Sequence, residues 1–175
     1  MGCRLQLVDG VGYPAVGSIC GVSNADVAKA LDIPVLMVGK AGVGDAVDSY
    51  NLDTNYFRAQ GLRVMGGIFN MLPKEGFYSL DNCREAVTDY FNKFNPEEMP
   101  YGYIPEIALP VETNSTTVEE QEEQFQEALV DSLIDNVQLE RLLLDLWLHE
   151  VSTAICNLIF FYFKLTGYLF FMISN

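Results

Sequence analysis

Val35-Leu36-Met37-Val38-Gly39 is a run of four apolar residues closed by a glycine and preceded by Pro34. A strand with one face in water alternates polar and apolar residues. A continuous apolar run of this length is instead the pattern of a strand covered on both faces, as in a parallel sheet between helices. Gly39, Gly42 and Gly44 end the run in a loop.

The neighbouring stretches agree with that reading. Upstream, Pro34 stops a helix predicted over residues 25–31, which Ser23 or Asn24 can cap. Asp26 falls in its first turn, where negative charge suits the helix dipole, and Val27, Ala28, Ala30 and Leu31 form an apolar face. Before it, Leu5-Gln6-Leu7-Val8 reads as a short strand closed by the turn Asp9-Gly10-Val11-Gly12. Downstream, a helix over residues 46–60 is stopped by Gly61. Residues 62–70 then read as a third strand, ending at Asn70. Strand, helix, strand, helix, strand implies parallel pairing through right-handed crossovers. A further helix over residues 80–94 carries Ala86, Val87, Tyr90, Phe91 and Phe94 at near-helical spacing. A proline-punctuated stretch follows, with Tyr103-Ile104-Pro105 a short strand and turn.

At Thr113 the composition changes. Residues 113–117 are a polar linker, and residues 118–150 are predicted as one acidic helix with leucines at 129, 133, 139, 142, 143 and 146. Residues 151–175 are almost wholly apolar, broken by Lys164 and Thr166-Gly167. Three readings of this tail stay open: a membrane anchor with Lys164 as its costly charge, a core helix, or sequence foreign to the domain. The expected organisation is an α/β domain over 1–112, an acidic helical extension over 113–150 and an apolar tail over 151–175.

Half of the 175 residues are hydrophobic and 19% are charged, a globular composition with room for one domain and appendages. The formal net charge of −14 repels phosphate backbones and anionic lipid, so nucleic acid is excluded as a partner. Cys3, Cys20, Cys83 and Cys156 never approach C-x-x-C spacing and read as reduced thiols. No secretory signal opens the sequence, and Gln6 stands where an acylation motif needs Ser or Thr; a cytoplasmic protein is expected.

Leu7-Val8-Asp9-Gly10-Val11-Gly12 resembles the strand and turn V-E-G-A-G-G of dethiobiotin synthetases, ATP-dependent ligases that close a ureido ring with carbon dioxide. Residues 24–38 are similar to that family's A-D-x-A-x-x-L-x-x-P-V-x-x-V. Residues 61–70 resemble its G-L-x-V-x-G-x-x-x-N, and Gly102-Tyr103-Ile104-Pro105 resembles the G-x-I-P at which the fold contacts adenine. Residues 44–53 look more like the synthetase-like domains ahead of some phosphotransacetylases, because Val47-Asp48 stands where dethiobiotin synthetases more often have Asn-His. The resemblance is thus to the C-terminal half of a dethiobiotin synthetase-like or cobyrinic acid a,c-diamide synthase-like P-loop domain, nearest to the domain attached to phosphotransacetylases. It implies a partial parallel-sheet, P-loop-NTPase-like three-layer α/β sandwich with a C-terminal helical extension. It also implies ATP and Mg2+ as cofactors. The Walker A loop G-x-x-x-x-G-K-[ST] occurs nowhere, and Gly39-Lys40-Ala41-Gly42-Val43-Gly44 lacks its Lys-Ser/Thr end.

The resemblance nominates Asp9 as the metal carboxylate, with Gly10, Gly12, Asn70, Ile104 and Pro105 as nucleotide contacts. Plainer readings stand beside each. Asp9 can stabilise a tight turn, Asn70 can merely end a strand, and the glycines, Gly44 included, can serve turns that need positive φ. The Gly39–Gly44 spacing is wrong for a dinucleotide fingerprint. His149 reads as a surface histidine near a helix C-terminus, and no catalytic residue is assigned. The acidic helix can bind a basic partner or simply be a solvated helix start. The function expected is a truncated or degenerate nucleotide-binding domain without ATPase activity of its own. Two alternatives remain: a fragment of an active ATP-dependent ligase or phosphotransacetylase-like enzyme, and a regulatory or interaction module. Nucleotide and a homodimer stay open as partners, and a membrane enters only if the tail is a genuine anchor.

Overall fold

In the computed structural model the described residues are 6–107, 117–150 and 158–163. They form β1 (Gln6–Val11), a single 3-10 turn at Ser18–Cys20, α1 (Asn24–Leu31), β2 (Val35–Gly39), α2 (Gly44–Ala59) and β3 (Val64–Leu72). The chain continues through α3 (Leu80–Phe94), β4 (Met99–Pro105), α4 (Val118–Asn136), α5 (Leu139–Glu150) and β5 (Leu158–Phe163). The strands make one five-stranded sheet in the order β1-β5-β2-β3-β4, every pair parallel.

Helices cover both faces, giving the three layers of a P-loop-NTPase-like α/β fold. The apolar run of β2 explains how. Val35 and Met37 join Ala25 and Ala28 of α1, Tyr50 and Phe57 of α2 and Val87 and Phe91 of α3 in one core. Leu36, between them, joins Met65, Ile68, Tyr101 and Ile104 in a second core under Leu142 and Leu146 of α5. Alternate residues thus serve opposite faces, and no polar residue fits between them. The division of helices follows from handedness. Three right-handed crossovers step the same way from β1 to β4 and lay α1, α2 and α3 on one face; the return from β4 to β5 lays α4 and α5 on the other.

Local chemistry sets the helix ends. Ser23, not Asn24, caps α1: its hydroxyl accepts from the Asp26 N–H while the Asp26 carboxylate accepts from the Ser23 N–H. Asn24 does something else, donating its amide to Val11 O and Tyr13 O, 2.8 Å each, and so pinning the β1–α1 loop. Ser79 caps α3, which runs over Leu80–Phe94 as the sequence predicts.

Four expectations need correcting. β3 does not end at Asn70 but runs on to Leu72, which pairs with Pro105 of β4. β1 runs on to Val11, because pairing with β5 draws the expected turn Asp9–Val11 into the ladder. β4 is seven residues long in spite of Pro100, which an edge strand tolerates because one side of its backbone needs no sheet partner. The single helix expected over 118–150 is two. Val137 leaves helical geometry at φ −118 and ψ 133 and bridges Gly102, and Gln138 donates its N–H to Tyr101 O at 2.7 Å. Helical periodicity continues through that point, but β4 supplies better partners for the backbone. Gly102 makes room for this crossing, since a Cβ there would lie 2.7 Å from Val137 Cγ2 and 2.9 Å from Asn136 O.

Of the apolar tail, residues 158–163 are described, as β5 between β1 and β2; the remainder of its expected readings lies outside the described residues. Among the described residues no helix is long and apolar enough to cross a membrane.

Candidate functional site

Because all strands run parallel, their carboxyl ends meet one edge of the sheet, the edge at which open α/β folds bind ligands. Two residues before the end of β3, as Asp9 is in β1, Asn70 Oδ1 accepts the Met71 N–H at 2.8 Å. Met71 itself is held at φ 58, a left-handed conformation that costs a non-glycine residue about 1–2 kcal/mol. The register between β3 and β4 shifts across this point, from Phe69 opposite Tyr103 to Leu72 opposite Pro105. A backbone outlier next to the nominated Asn70, at a strand's carboxyl end, is where a built site stores strain.

Asn70, Ile104 and Pro105 therefore meet on adjacent strands. Among the described residues Asn70 Nδ2 makes no hydrogen bond, and Oδ1 keeps a second lone pair beside the one used by Met71. The amide can still offer a donor and an acceptor together. Ile104 is buried in the core under α5, so only its backbone can reach a ligand, while Pro105 is half-buried.

The β1 residues are elsewhere. β1 and β3 are separated by β5 and β2, three strand spacings or about 14 Å. Gly12, at φ 70, turns the chain away after Val11, and Gly10 is buried within the strand. Asp9 pairs in register with Phe161, which is opposite Leu36, two residues before β1 ends. The resemblance places a metal carboxylate at the end of an interior strand; here Asp9 lies inside the outermost strand. Partial desolvation pushes its pKa above the ordinary carboxylate value. Among the described residues no three His, Cys, Asp or Glu side chains gather as a metal-binding group.

The loop after β2 is closed on itself. Lys40 forms an ion pair with Asp45 in the first turn of α2, and Cys83 donates its thiol to Gly42 O at 2.9 Å. Gly44 begins α2 and faces open space. The one cation of the glycine cluster is thus already paired, with no Lys-Ser/Thr sequence behind it.

Two features escape sequence reasoning. In the loop after β3, Phe77 and Tyr78 are exposed and pack edge to face with ring centroids 5.1 Å apart, on a loop held by Asn82 Nδ2 donating to Gly76 O and Phe77 O. Two aromatic residues directly after a glycine and outside any helical period were the available signal. At the opposite edge, ahead of β4, the buried Glu98 carboxylate accepts from the Tyr50 hydroxyl, Arg58 Nε at 3.1 Å, Arg58 Nη2 and Asn95 Nδ2 at 2.7 Å. Burial, and then the neighbouring Glu98 charge, push the Tyr50 phenol well up. This cluster ties α2, the end of α3 and β4 together, far from the carboxyl edge. No local pattern announces it, since Tyr50 and Arg58 come from α2 and Asn95 and Glu98 from the turn between α3 and β4.

A family model described as an AAA domain matches residues 2–113, a stretch that holds β1 to β4 and stops ahead of α4. No curated protein and no solved structure matches the chain.

Proposed function

The chain belongs to the AAA-domain family, and on that premise we propose that it is a degenerate nucleotide-binding domain that holds adenosine at the carboxyl edge of β3 and β4 and does not hydrolyse ATP by itself. The observation that carries this reading is the unspent Asn70 amide beside the strained Met71 and the Pro105 strand end. An amide with a free donor and a remaining acceptor lone pair suits the edge of adenine, and Phe77 and Tyr78 on the adjoining loop offer aromatic faces for the base. Dethiobiotin synthetase-like ancestry, nearest to the domains attached to phosphotransacetylases, is the finer form of the same proposal.

The phosphate end does not fit ATP and Mg2+. Hydrolysis in P-loop domains needs backbone amides and a free Lys around the phosphates and a carboxylate directed at the metal. Lys40 is ion-paired with Asp45, and Asp9 belongs to no group of three or more His, Cys, Asp or Glu side chains among the described residues.

The test is a melting series of the purified chain with adenosine, AMP and ATP, with and without Mg2+, alongside a phosphate-release assay. Adenosine and ATP should raise Tm equally, magnesium should add nothing, and phosphate release should stay at the blank. Asn70→Ala should abolish the shift while leaving the unliganded Tm within a degree or two. ATP turnover by the purified chain, or no shift from any adenine compound at millimolar concentration, defeats the reading.

One observation favours a second reading, that the chain is part of a larger ATP-dependent ligase or phosphotransacetylase-like enzyme. Within the family-matched residues β1 and β2 are not paired; the strand between them, β5, comes from beyond residue 113. A strand followed by G-x-x-x-x-G-K-[ST] encoded upstream in the same transcript would support it, and an upstream stop codon would end it.

A further inference from the structure

Of the helices beyond the family-matched residues, α5 buries one side on the sheet and leaves the other apolar. On α5, Leu142 and Leu146 are buried, whereas Leu143, Leu144, Trp147 and Leu148 are exposed, Trp147 by 56%. At 3.6 residues per turn those four occupy one arc about 140° wide, from Leu143 through Trp147 and Leu144 to Leu148. On α4, Leu129 is buried while Val130 and Ile134 are exposed. Single exposed leucines are ordinary on a protein surface, but a helix with an apolar stripe on its outer side marks an interaction face.

Charge indicates what fits it. The exposed α4 surface carries Glu120, Glu122, Glu123, Glu127, Asp131 and Asp135, and α5 adds Glu140. Arg141 is the one Lys or Arg between residues 118 and 150, and its Nε donates to Asp145 at 2.9 Å. A second copy docked by the same face would bring the same excess of carboxylates, with Arg141, already paired with Asp145, as its one Lys or Arg.

We propose that the outer face of α5, flanked by the carboxylates of α4, docks a basic amphipathic helix of a protein partner. Apolar anchors spaced by three and four residues on that helix meet Leu144, Trp147 and Leu148, and its Lys and Arg residues face the α4 carboxylates. The inference uses none of the nucleotide-site residues, so either proposal can fail without the other.

Trp147 is the only tryptophan of the chain, so its emission reports directly on this face. The experiment titrates the full chain with a designed 18-residue helix of leucines and lysines, and with its leucine–glutamate counterpart, following Trp147 emission and the anisotropy of the labelled peptide. The basic peptide should shift the emission to the blue and bind with a salt-dependent, micromolar Kd, and the acidic peptide should not bind. Leu144→Ser and Leu148→Ser, both at exposed positions, should weaken binding about tenfold each without lowering Tm, a leucine side chain being worth that much when buried. Glu85→Gln with Asp89→Asn on α3, across the sheet, removes the same kind of charge from an unrelated surface and should leave the Kd unchanged. Loss of affinity in the α3 variant equal to that in the leucine variants would reduce the binding to general attraction by an acidic protein and overturn the proposal. So would a concentration-dependent dimer in sedimentation that Leu144→Ser disperses, since the occupant would then be a second copy.

Discussion

Gly102→Ala is the sharpest perturbation of how this chain is assembled. The new Cβ would lie 2.7 Å from Val137 Cγ2, 2.9 Å from Asn136 O and 3.1 Å from Val137 Cα. The first contact is with the end of a side chain, but the other two are backbone, so the α4–α5 junction must move off β4. That movement loosens the Gly102–Val137 bridge, whose 2.7 Å bond runs from Gln138 N to Tyr101 O. Overpacking at about 1–3 kcal/mol, with that main-chain bond weakened at about 1 kcal/mol or less, gives a loss of roughly 1–4 kcal/mol. For a chain of this size that lowers Tm by roughly 2–15 °C. Urea unfolding measures the loss, and hydrogen exchange locates it: the amides of Val137, Gln138 and Leu142 should lose protection before those of β2 and β3. Adding Val137→Ala removes only the Cγ2 contact and should restore little of the deficit. A Gly102→Ala protein within about 0.5 kcal/mol of the parent, or full rescue by Val137→Ala, would refute the reasoning that backbone docking breaks the helix here.

Glu98→Ala leaves the buried Tyr50 hydroxyl without its acceptor and Arg58 without its counter-ion, and should cost about 2–4 kcal/mol in chemical denaturation, with no change in adenosine binding. Asp9→Asn should act through pH. A carboxyl whose folded pKa is raised above its unfolded value opposes folding when ionised, so the variant should melt higher than the parent at neutral pH. The difference should vanish below the ordinary carboxylate range, where both states are protonated; a gap that persists at pH 3 would exclude the desolvation account. Met71→Gly relieves the left-handed strain and should stabilise the chain by about 1 kcal/mol while weakening adenosine binding; a destabilised variant would show that φ 58 carries no strain.

Much of the fold was legible because it is written in short-range terms. The unbroken apolar run of Val35–Val38 required cover on both faces, and the structure supplies two cores that take alternate residues of β2. The near-helical spacing of Ala86, Val87, Tyr90, Phe91 and Phe94 and the proline-punctuated stretch after them marked out α3. Of the candidate site, Asn70, Ile104 and Pro105 could be nominated from strand ends and resemblance, and they do share a sheet edge. That Ile104 is spent on the core, that Lys40 is spent on Asp45 and that Met71 is strained were not readable, since each depends on a neighbour's backbone path or side-chain reach. The Glu98 cluster was invisible for the same reason.

By itself the sequence determined the alternation of strands and helices through residue 105, the parallel pairing that alternation enforces, and that no G-x-x-x-x-G-K-[ST] motif occurs within these 175 residues. These depend on periodicity, caps and turn residues within a few positions of one another. Only the tertiary structure decided strand order, with β1 at the edge and β5 between it and β2, and only it decided the break between α4 and α5 at Gly102. Strand neighbours and docking partners come from opposite ends of the chain, and what joins them is backbone hydrogen bonding and close packing, neither of which leaves a local pattern in the residues that take part.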